Sequence, residues 1–131
     1  MKVLLSNSSG VPIYDQIKEQ IKSHILAGVL KEGEMLPSLR SLAKELRISV
    51  LTTTRAYNEL EQEGYIVSSH GRGFYVMSHD SALIQEQLLR EVEQALHAAI
   101  VAGRRAKLSR QELSDHFSLL LDMEEEHGGA L

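Results

Sequence analysis

The chain has 131 residues, 43% of them apolar, and a mean hydropathy of −0.16, which suits one globular domain or a small domain with an extension. No run approaches the roughly 18 apolar residues of a membrane-spanning helix, and the N-terminal apolar stretch is too short for a signal peptide, so we expect a cytoplasmic protein with no membrane partner. The absence of cysteine excludes disulfides, thiolate metal sites and a cysteine nucleophile.

The net charge of −4 is unevenly distributed along the chain. Residues 1–78 carry nine Lys and Arg against eight Asp and Glu, a net charge of +1. Residues 79–131 carry five against ten, a net charge of −5. The acidity belongs to the C-terminal part, so the total charge does not exclude an anionic partner for the first part.

The first predicted helix opens at Pro12 and ends at Ala27-Gly28, with proline and glycine as its boundary signals. Its apolar residues recur at helical spacing: Ile13, Ile17, Ile21, Ile25 and Leu26.

Two further helices follow in close succession. Pro37-Ser38 opens the short second helix, "SLRSLAKEL", and the third runs from Val50 to Glu63. The link between them is only "RIS", in which Ser49 is placed to cap the third helix. A short helix and a tight link predict a helix-turn-helix.

After Gly64 the apolar period changes from helical to alternating. The stretches "YIVSS" and "GFYVM" predict two short strands around a turn at His70-Gly71-Arg72-Gly73. A hairpin beside a helix-turn-helix is a wing.

Helical spacing returns at Ala82, and the fourth predicted helix stops at Gly103. Ser109 and Glu112 form a capping box for a fifth helix, which carries the apolar residues Leu113, Phe117, Leu120 and Leu121. The tail "EEEHGGAL" is expected to be frayed. The predicted fold is mainly α with a small β-hairpin wing (α+β): a winged helix-turn-helix followed by two C-terminal helices.

The third helix has two unlike faces. At about 100° per residue one face is assigned to the core and comprises Thr53, Ala56, Tyr57 and Leu60. The other presents Leu51, Arg55, Asn58 and Gln62, with Thr52 and Thr54 beside them. These groups can read base edges or grip phosphates, although a polar outer face is also typical of a helix that only meets solvent.

Two other elements present hydrogen-bond donors. Ser38 and Arg40 lie at the start of the second helix, where backbone N–H groups and the helix dipole favour a phosphate. Arg72 lies at the hairpin tip, where its glycine neighbours allow close approach to a narrow minor groove. Three elements together favour DNA binding over a merely solvated surface.

The run from Gly33 to Val76 contains specific motifs in combination. They are Leu36-Pro37-Ser38 with Arg40 and Leu42-Ala43, then Arg55-Ala56-Tyr57 with Glu59-Leu60, Glu63-Gly64, and Gly71-Arg72-Gly73. This run resembles the winged helix-turn-helix of GntR-family bacterial transcription regulators. With the preceding "PIYDQIKEQIKSHILAG" it is similar to the short YtrA-type subfamily. One departure is Arg47, which stands where the family commonly ends this helix with glycine.

The resemblance implies a non-enzymatic, sequence-specific DNA-binding transcription regulator, a dimeric repressor on a pseudo-palindromic operator. The third helix would enter the major groove and the wing the minor groove. The implied contacts are phosphate binding by Ser38 and Arg40, groove contacts from Leu51, Thr52 and Thr54, and insertion of Arg72 between Gly71 and Gly73. Ser49, Arg55 and His70 complete the candidate DNA-binding set.

The chain is expected to divide into a DNA-binding domain, residues 1–78, and a helical dimerisation segment, residues 79–131. The fourth helix has too few partners in its own chain to bury its apolar stripe, which predicts a homodimer. The residues assigned to this interface are Leu88, Val92, Leu96 and Ile100. No cofactor is expected, and whether a small-molecule effector binds is left open.

Three alternatives compete with this interpretation. A winged helix can instead serve as a protein–protein interaction module. A metal site is disfavoured because, of six dispersed histidines, only His70 and His79 are close in sequence and no pair has i, i+4 spacing. Catalysis is disfavoured because Ser114, Asp115 and His116 are neighbours on one helix and point in different directions.

Overall fold

The computed structural model describes residues 1–78 and 80–127. The described elements, in chain order, are α1 (Ile13–Leu26), α2 (Leu39–Leu46), α3 (Val50–Gln62), β1 (Ile66–Ser69), β2 (Gly73–Val76), α4 (Ala82–Arg105) and α5 (Arg110–Glu126). They form two compact units, Met1–Leu88 and Leu89–Leu131. The mainly α fold with a hairpin wing is confirmed. None of the described helices has both the length and the apolarity to cross a bilayer.

The core of the first unit lies between α1 and α3. Ile17, Ile21 and Ile25 are buried on one side of α1, as the spacing of the isoleucines predicts, whereas Leu26 is 39% exposed. Tyr57 and Leu60 of α3 are fully buried in the same cluster. Removing these apolar surfaces from water is what holds α3 in place.

Side chains cap both helices of the helix-turn-helix. The Ser38 hydroxyl accepts a hydrogen bond from the backbone N–H of Ser41, and the Ser49 hydroxyl accepts one from Leu51. α2 ends at Leu46, and the next residue, Arg47, caps it in the left-handed backbone conformation, φ 58° and ψ 49°. A residue with a Cβ is sterically disfavoured in the left-handed conformation, which explains why the family commonly has glycine at this position.

The hairpin pairs β1 with β2 in antiparallel register, with Ile66 opposite Val76 and Ser69 opposite Gly73. The segment before α2 extends this sheet by backbone hydrogen bonds: Gly33 N–H donates to the Val76 carbonyl, Val76 N–H to Glu34, and Leu36 N–H to Phe74. The wing is therefore joined to the chain entering α2 as well as to α3.

The predicted end of the fourth helix was wrong. α4 continues through Gly103 to Arg105, and the left-handed residue that terminates it is Lys107, φ 60°. Gly103 serves packing instead, because a Cβ at this position would lie 3.3 Å from Leu113 Cδ2. A glycine within a helix therefore marks close contact between α4 and α5.

The predicted capping box of α5 is confirmed, since the Ser109 side chain and Glu112 exchange hydrogen bonds with each other's backbone N–H. Hydrogen bonding of the Glu112 carboxylate to the backbone N–H of Ser109, and then to its side chain, lowers the pKa of Glu112. The expectation of a frayed "EEEHGGAL" was wrong for its beginning, because α5 extends to Glu126. Residues 128–131 of this tail lie outside the described residues.

Candidate nucleic-acid interface

α3 presents the predicted face to the outside. Leu51 is 81% exposed, and Arg55, Asn58 and Gln62 are exposed along the same side. The core face is confirmed as well, with Thr53, Ala56, Tyr57 and Leu60 all at 0% exposure. The core face of α3 is therefore fully buried, and its opposite face is exposed along the helix.

The first turn of α3 is well anchored. Thr52 and Thr54 are half-buried there, and the Thr54 hydroxyl donates to the Val50 carbonyl at 2.7 Å. The oxygen of that hydroxyl still has acceptor capacity for an outside donor. Leu51, which directly precedes Thr52, offers only apolar surface.

The Arg55 side chain is held in place by two contacts. Its Cζ lies 3.7 Å from the centroid of the Tyr14 ring, a cation–π geometry, and its Nε donates to Glu59 Oε2 at 3.1 Å. The Arg55 side chain is still 61% exposed. Sequence reasoning missed Tyr14, because its proximity to Arg55 depends on how α1 packs on α3.

Ion pairs join α1 and α3 behind this face. Lys18 Nζ lies 3.2 Å from Glu59 Oε1 and 2.8 Å from Glu63 Oε2. Burial opposes the charge of Lys18, but the bonds to Glu63 and Glu59 outweigh it and raise the pKa of Lys18 above its ordinary range. Partial desolvation of Glu59 is likewise outweighed by the bonds from Arg55 and Lys18, which lower the pKa of Glu59.

An open groove of about 390 Å³ separates the start of α2 from the wing. It brings together predicted site residues from two parts of the chain and adds two serines that sequence reasoning missed. Its lining consists of Ser38, Leu39, Arg40, Ser68, Ser69, Gly71, Gly73 and Phe74. No sequence pattern signals the serines, since the sheet register decides which strand residues face α2.

The wing tip has the expected turn chemistry. Gly71 and Gly73 adopt φ 66° and 115°, and the Arg72 N–H donates to the Ser69 carbonyl at 2.7 Å. His70 and Arg72 are exposed. Within the described residues no ion pair holds the Arg72 guanidinium, so it is available to an external anion.

The described residues do not form a histidine metal site. No group of three His, Asp or Glu side chains able to hold a metal occurs in the described part of the chain. His79, the sequence neighbour of His70 in that hypothesis, lies outside the described residues.

The residues predicted for dimerisation differ in their surroundings. Leu88 is half-buried and packs against the core of the first unit. Val92, Leu96 and Ile100 are 53%, 42% and 41% exposed. Within the second unit, an apolar cavity of about 290 Å³ is lined by Leu96, Ala99, Ile100, Arg110, Leu113, Ser114 and Phe117.

Comparison with known proteins places these features in a family. Residues 13–76 match the model for bacterial regulatory proteins of the gntR family. The chain is 34% identical over 107 residues to the HTH-type transcriptional repressor YtrA of Bacillus subtilis (strain 168), covering 82% of each chain.

Solved structures agree. YtrA from Sulfolobus acidocaldarius, a GntR-family transcription factor, is similar with a TM-score of 0.61 and 30% identity, over 92% of this chain and 97% of that one. The DNA-binding domain of AraR in complex with operator ORX1 is similar with a TM-score of 0.51 and 28% identity, over 58% of this chain and 95% of that domain. One of these similar structures was therefore solved in complex with operator DNA.

Proposed function

Because the chain belongs to the GntR family of bacterial regulatory proteins and is a non-enzymatic DNA-binding transcription regulator, we propose that it represses transcription as a homodimer occupying a pseudo-palindromic operator. The observation that carries the proposal is the groove between α2 and the wing, which gathers hydrogen-bond donors from both elements of a domain whose α3 has an exposed polar face. A regulator of bacterial transcription acts where the chromosome is, so we place it in the cytoplasm.

α3 is the proposed reader of the major groove. Thr52 and Thr54 offer hydroxyls to base edges or phosphates, and Leu51 offers apolar contact to a thymine methyl group. Ser49 caps the helix at the same end, and Arg55, held by Tyr14 and Glu59, is positioned as a further contact. We expect the operator to contain thymine where Leu51 touches it.

The phosphate backbone is the proposed partner of the α2 start and the wing. Ser38 and Arg40 would receive a phosphate at the helix N-terminus, with His70 near a neighbouring one. Arg72, between Gly71 and Gly73, would enter the adjacent minor groove. Phosphate contacts fix the register in which α3 meets the bases.

A two-fold pair of such domains would bind half-sites about one helical turn apart. The exposed stripe of Val92, Leu96 and Ile100 supports this pairing, with Leu88 at its edge. We propose residues 79–131 as the dimerisation segment and 1–78 as the DNA-binding domain.

The deciding experiment is a selection from a random duplex DNA pool with the purified full chain at about 0.1 M salt. We expect an enriched inverted repeat, and an affinity that falls by about 0.9 log units per log unit of salt for each phosphate neutralised. Retention of no sequence above background would contradict the proposal, and would favour the alternative of a winged helix that binds protein.

The wing is tested by Arg72→Ala on the selected site. We expect a loss of about 1 to 3 kcal/mol of binding free energy, the scale of one good groove contact. Arg105→Ala is the matched control, since Arg105 is an exposed arginine in the last turn of α4 with no assigned contact. Equal affinities of the two variants would remove Arg72 from the interface.

The dimer is tested by Leu96→Glu, which places a charge in the proposed apolar interface. We expect a monomer by sedimentation, with the first unit still folded. Ala98→Glu is the control, because Ala98 is exposed about 200° around α4 from Leu96. An intact dimer in the Leu96 variant would exclude this face as the interface.

A further inference from the structure

One buried tyrosine joins all three parts of the proposed DNA surface. Tyr57 lies on the core face of α3 at 0% exposure, and its hydroxyl donates to the Pro37 carbonyl at 2.8 Å. Its ring meets the Phe74 ring of β2 edge to face, with centroids 5.0 Å apart and planes at 79°. A single side chain of α3 therefore contacts Phe74, which lines the groove on the wing side, and Pro37, which directly precedes the groove residue Ser38.

A second contact supports the first on the α2 side. The Thr53 hydroxyl, also fully buried, lies 3.0 Å from the Leu39 carbonyl. Pro37 and Leu39 are the two neighbours of Ser38, the capping residue of α2. The two α3 hydroxyls thus bracket the helix end that is proposed to receive a phosphate.

The contact on the wing side is equally direct. Phe74 lines the groove, and its carbonyl accepts the N–H of Leu36 at 2.9 Å. The ring of Tyr57 therefore packs against the strand that leads from the wing tip, while its hydroxyl binds the segment that leads into α2. Edge-to-face aromatic pairs fix relative orientation as well as distance.

The tyrosine hydroxyl is a dependable donor. Burial, helped by the nearby Glu45 carboxylate, raises the pKa of Tyr57 far above the range in which proteins work. Without the hydroxyl, the Pro37 carbonyl would lose its partner and the α2 start would be free to shift.

We propose that Tyr57 is a positioning residue for operator binding: it fixes the α2 start and the wing relative to α3, so that the phosphate contacts and the base contacts meet one duplex in a single register. The inference rests on the proposed function. It requires no contact between Tyr57 and DNA, and it predicts that losing the hydroxyl weakens phosphate binding while base preference stays unchanged.

The first test is Tyr57→Phe, which keeps the ring contact with Phe74 and deletes the hydrogen bond to Pro37. We expect operator affinity to fall by roughly fivefold, the equivalent of one hydrogen bond of about 1 kcal/mol. We expect the salt slope to decrease by up to about 1.8 per dimer, which corresponds to one phosphate in each half-site. The bases enriched from the random pool should be those selected by the wild type.

The matched control is Tyr75→Phe, which removes a tyrosine hydroxyl from β2, at the residue next to Phe74. We expect its affinity and its salt slope to equal those of the wild type. Binding is measured under conditions in which circular dichroism shows that all variants are folded. Each affinity is corrected for the fraction of protein that is able to bind DNA. A purely structural role of Tyr57 would lower that fraction without changing the salt slope. An unchanged slope for Tyr57→Phe would overturn the inference.

A double-mutant cycle with Arg40→Ala gives the decisive readout. If Tyr57 acts through the α2 start, adding Tyr57→Phe to Arg40→Ala should cost little more than Arg40→Ala alone. Additive losses would overturn the inference. If Arg40→Ala weakens binding and Tyr57→Phe does not, only this inference fails. If the wild type shows no salt-dependent binding, the proposed function itself fails.

Phe74→Leu is the second variant, and it decides the question if Tyr57→Phe does not fold. It retains an apolar side chain at this half-buried position but removes the edge-to-face contact with Tyr57. We expect a coupled, non-additive loss with Arg72→Ala, because the wing tip would no longer be held against α3. Additivity in this cycle would contradict the positioning role.

Discussion

Replacing Arg47 by glycine should stabilise the protein. Arg47 holds φ 58° and ψ 49°, a region in which a residue with a Cβ costs about 1 to 2 kcal/mol. Glycine removes this strain but adds about 0.5 to 1 kcal/mol of conformational entropy to the unfolded chain. The Arg47 side chain is exposed, and the described residues contain no hydrogen bond or ion pair that it would lose.

The difference is a net stabilisation of about 0.5 to 1 kcal/mol. For a unit the size of Met1–Leu88, this raises the melting temperature by about 3 to 6 °C. Urea unfolding measures the gain directly, and the m-value should be unchanged because the same surface is exposed on unfolding.

Two control variants separate backbone strain from side-chain effects. Arg47→Ala removes the arginine but keeps the strained backbone, so its stability should remain within about 0.5 kcal/mol of the wild type. Lys44→Gly places glycine inside α2 on an ordinary helical residue and should cost about 1 kcal/mol. The reasoning is refuted if Arg47→Gly is no more stable than Arg47→Ala.

Three further outcomes follow from the packing and the ion pairs. Gly64→Ala should destabilise the first unit by about 1 to 3 kcal/mol, because Gly64 has φ 85° and an added Cβ would lie 2.6 Å from Leu83 Cδ2; urea unfolding checks this. Ile84→Ala should lower the free energy of unfolding by about 2 to 5 kcal/mol, because Ile84 is fully buried. Leu89→Ala, at an exposed position, should lower it by less than about 1 kcal/mol in the same assay. Equal losses would contradict the assignment of this turn of α4 to the first unit. Because the pKa of Glu59 is lowered in the folded state, its ion pairs stabilise above its ordinary pKa of 4.5 and this contribution is lost as pH falls through the lower folded value. Between about pH 5 and 3 the wild type should therefore lose more stability than Glu59→Gln, and parallel pH profiles would exclude the effect.

Local signals predicted most element boundaries correctly. Pro12 and Gly28 flank α1, and the serines at 38, 49 and 109 cap their helices through their own hydroxyls, a chemistry that acts within three residues. The end of α4 was predicted wrongly at Gly103, because this glycine allows close packing of Leu113 from α5 and does not end the helix. Sequence spacing carries no signal for such a contact. The local signal failed where the neighbour was distant in sequence.

The sequence by itself determined the helix-turn-helix, the wing and the outer face of α3, because hydrophobic period and turn chemistry are local properties. The class of protein followed from the resemblance of its motifs to those of the GntR family. Only the tertiary structure decided which residues surround the candidate site. Tyr14 contacts Arg55, Tyr57 contacts Pro37 and Phe74, and Ser38 and Ser69 line one groove. These pairs are separated along the chain, and no single window of residues contains both partners, so their contacts arise only when the core closes.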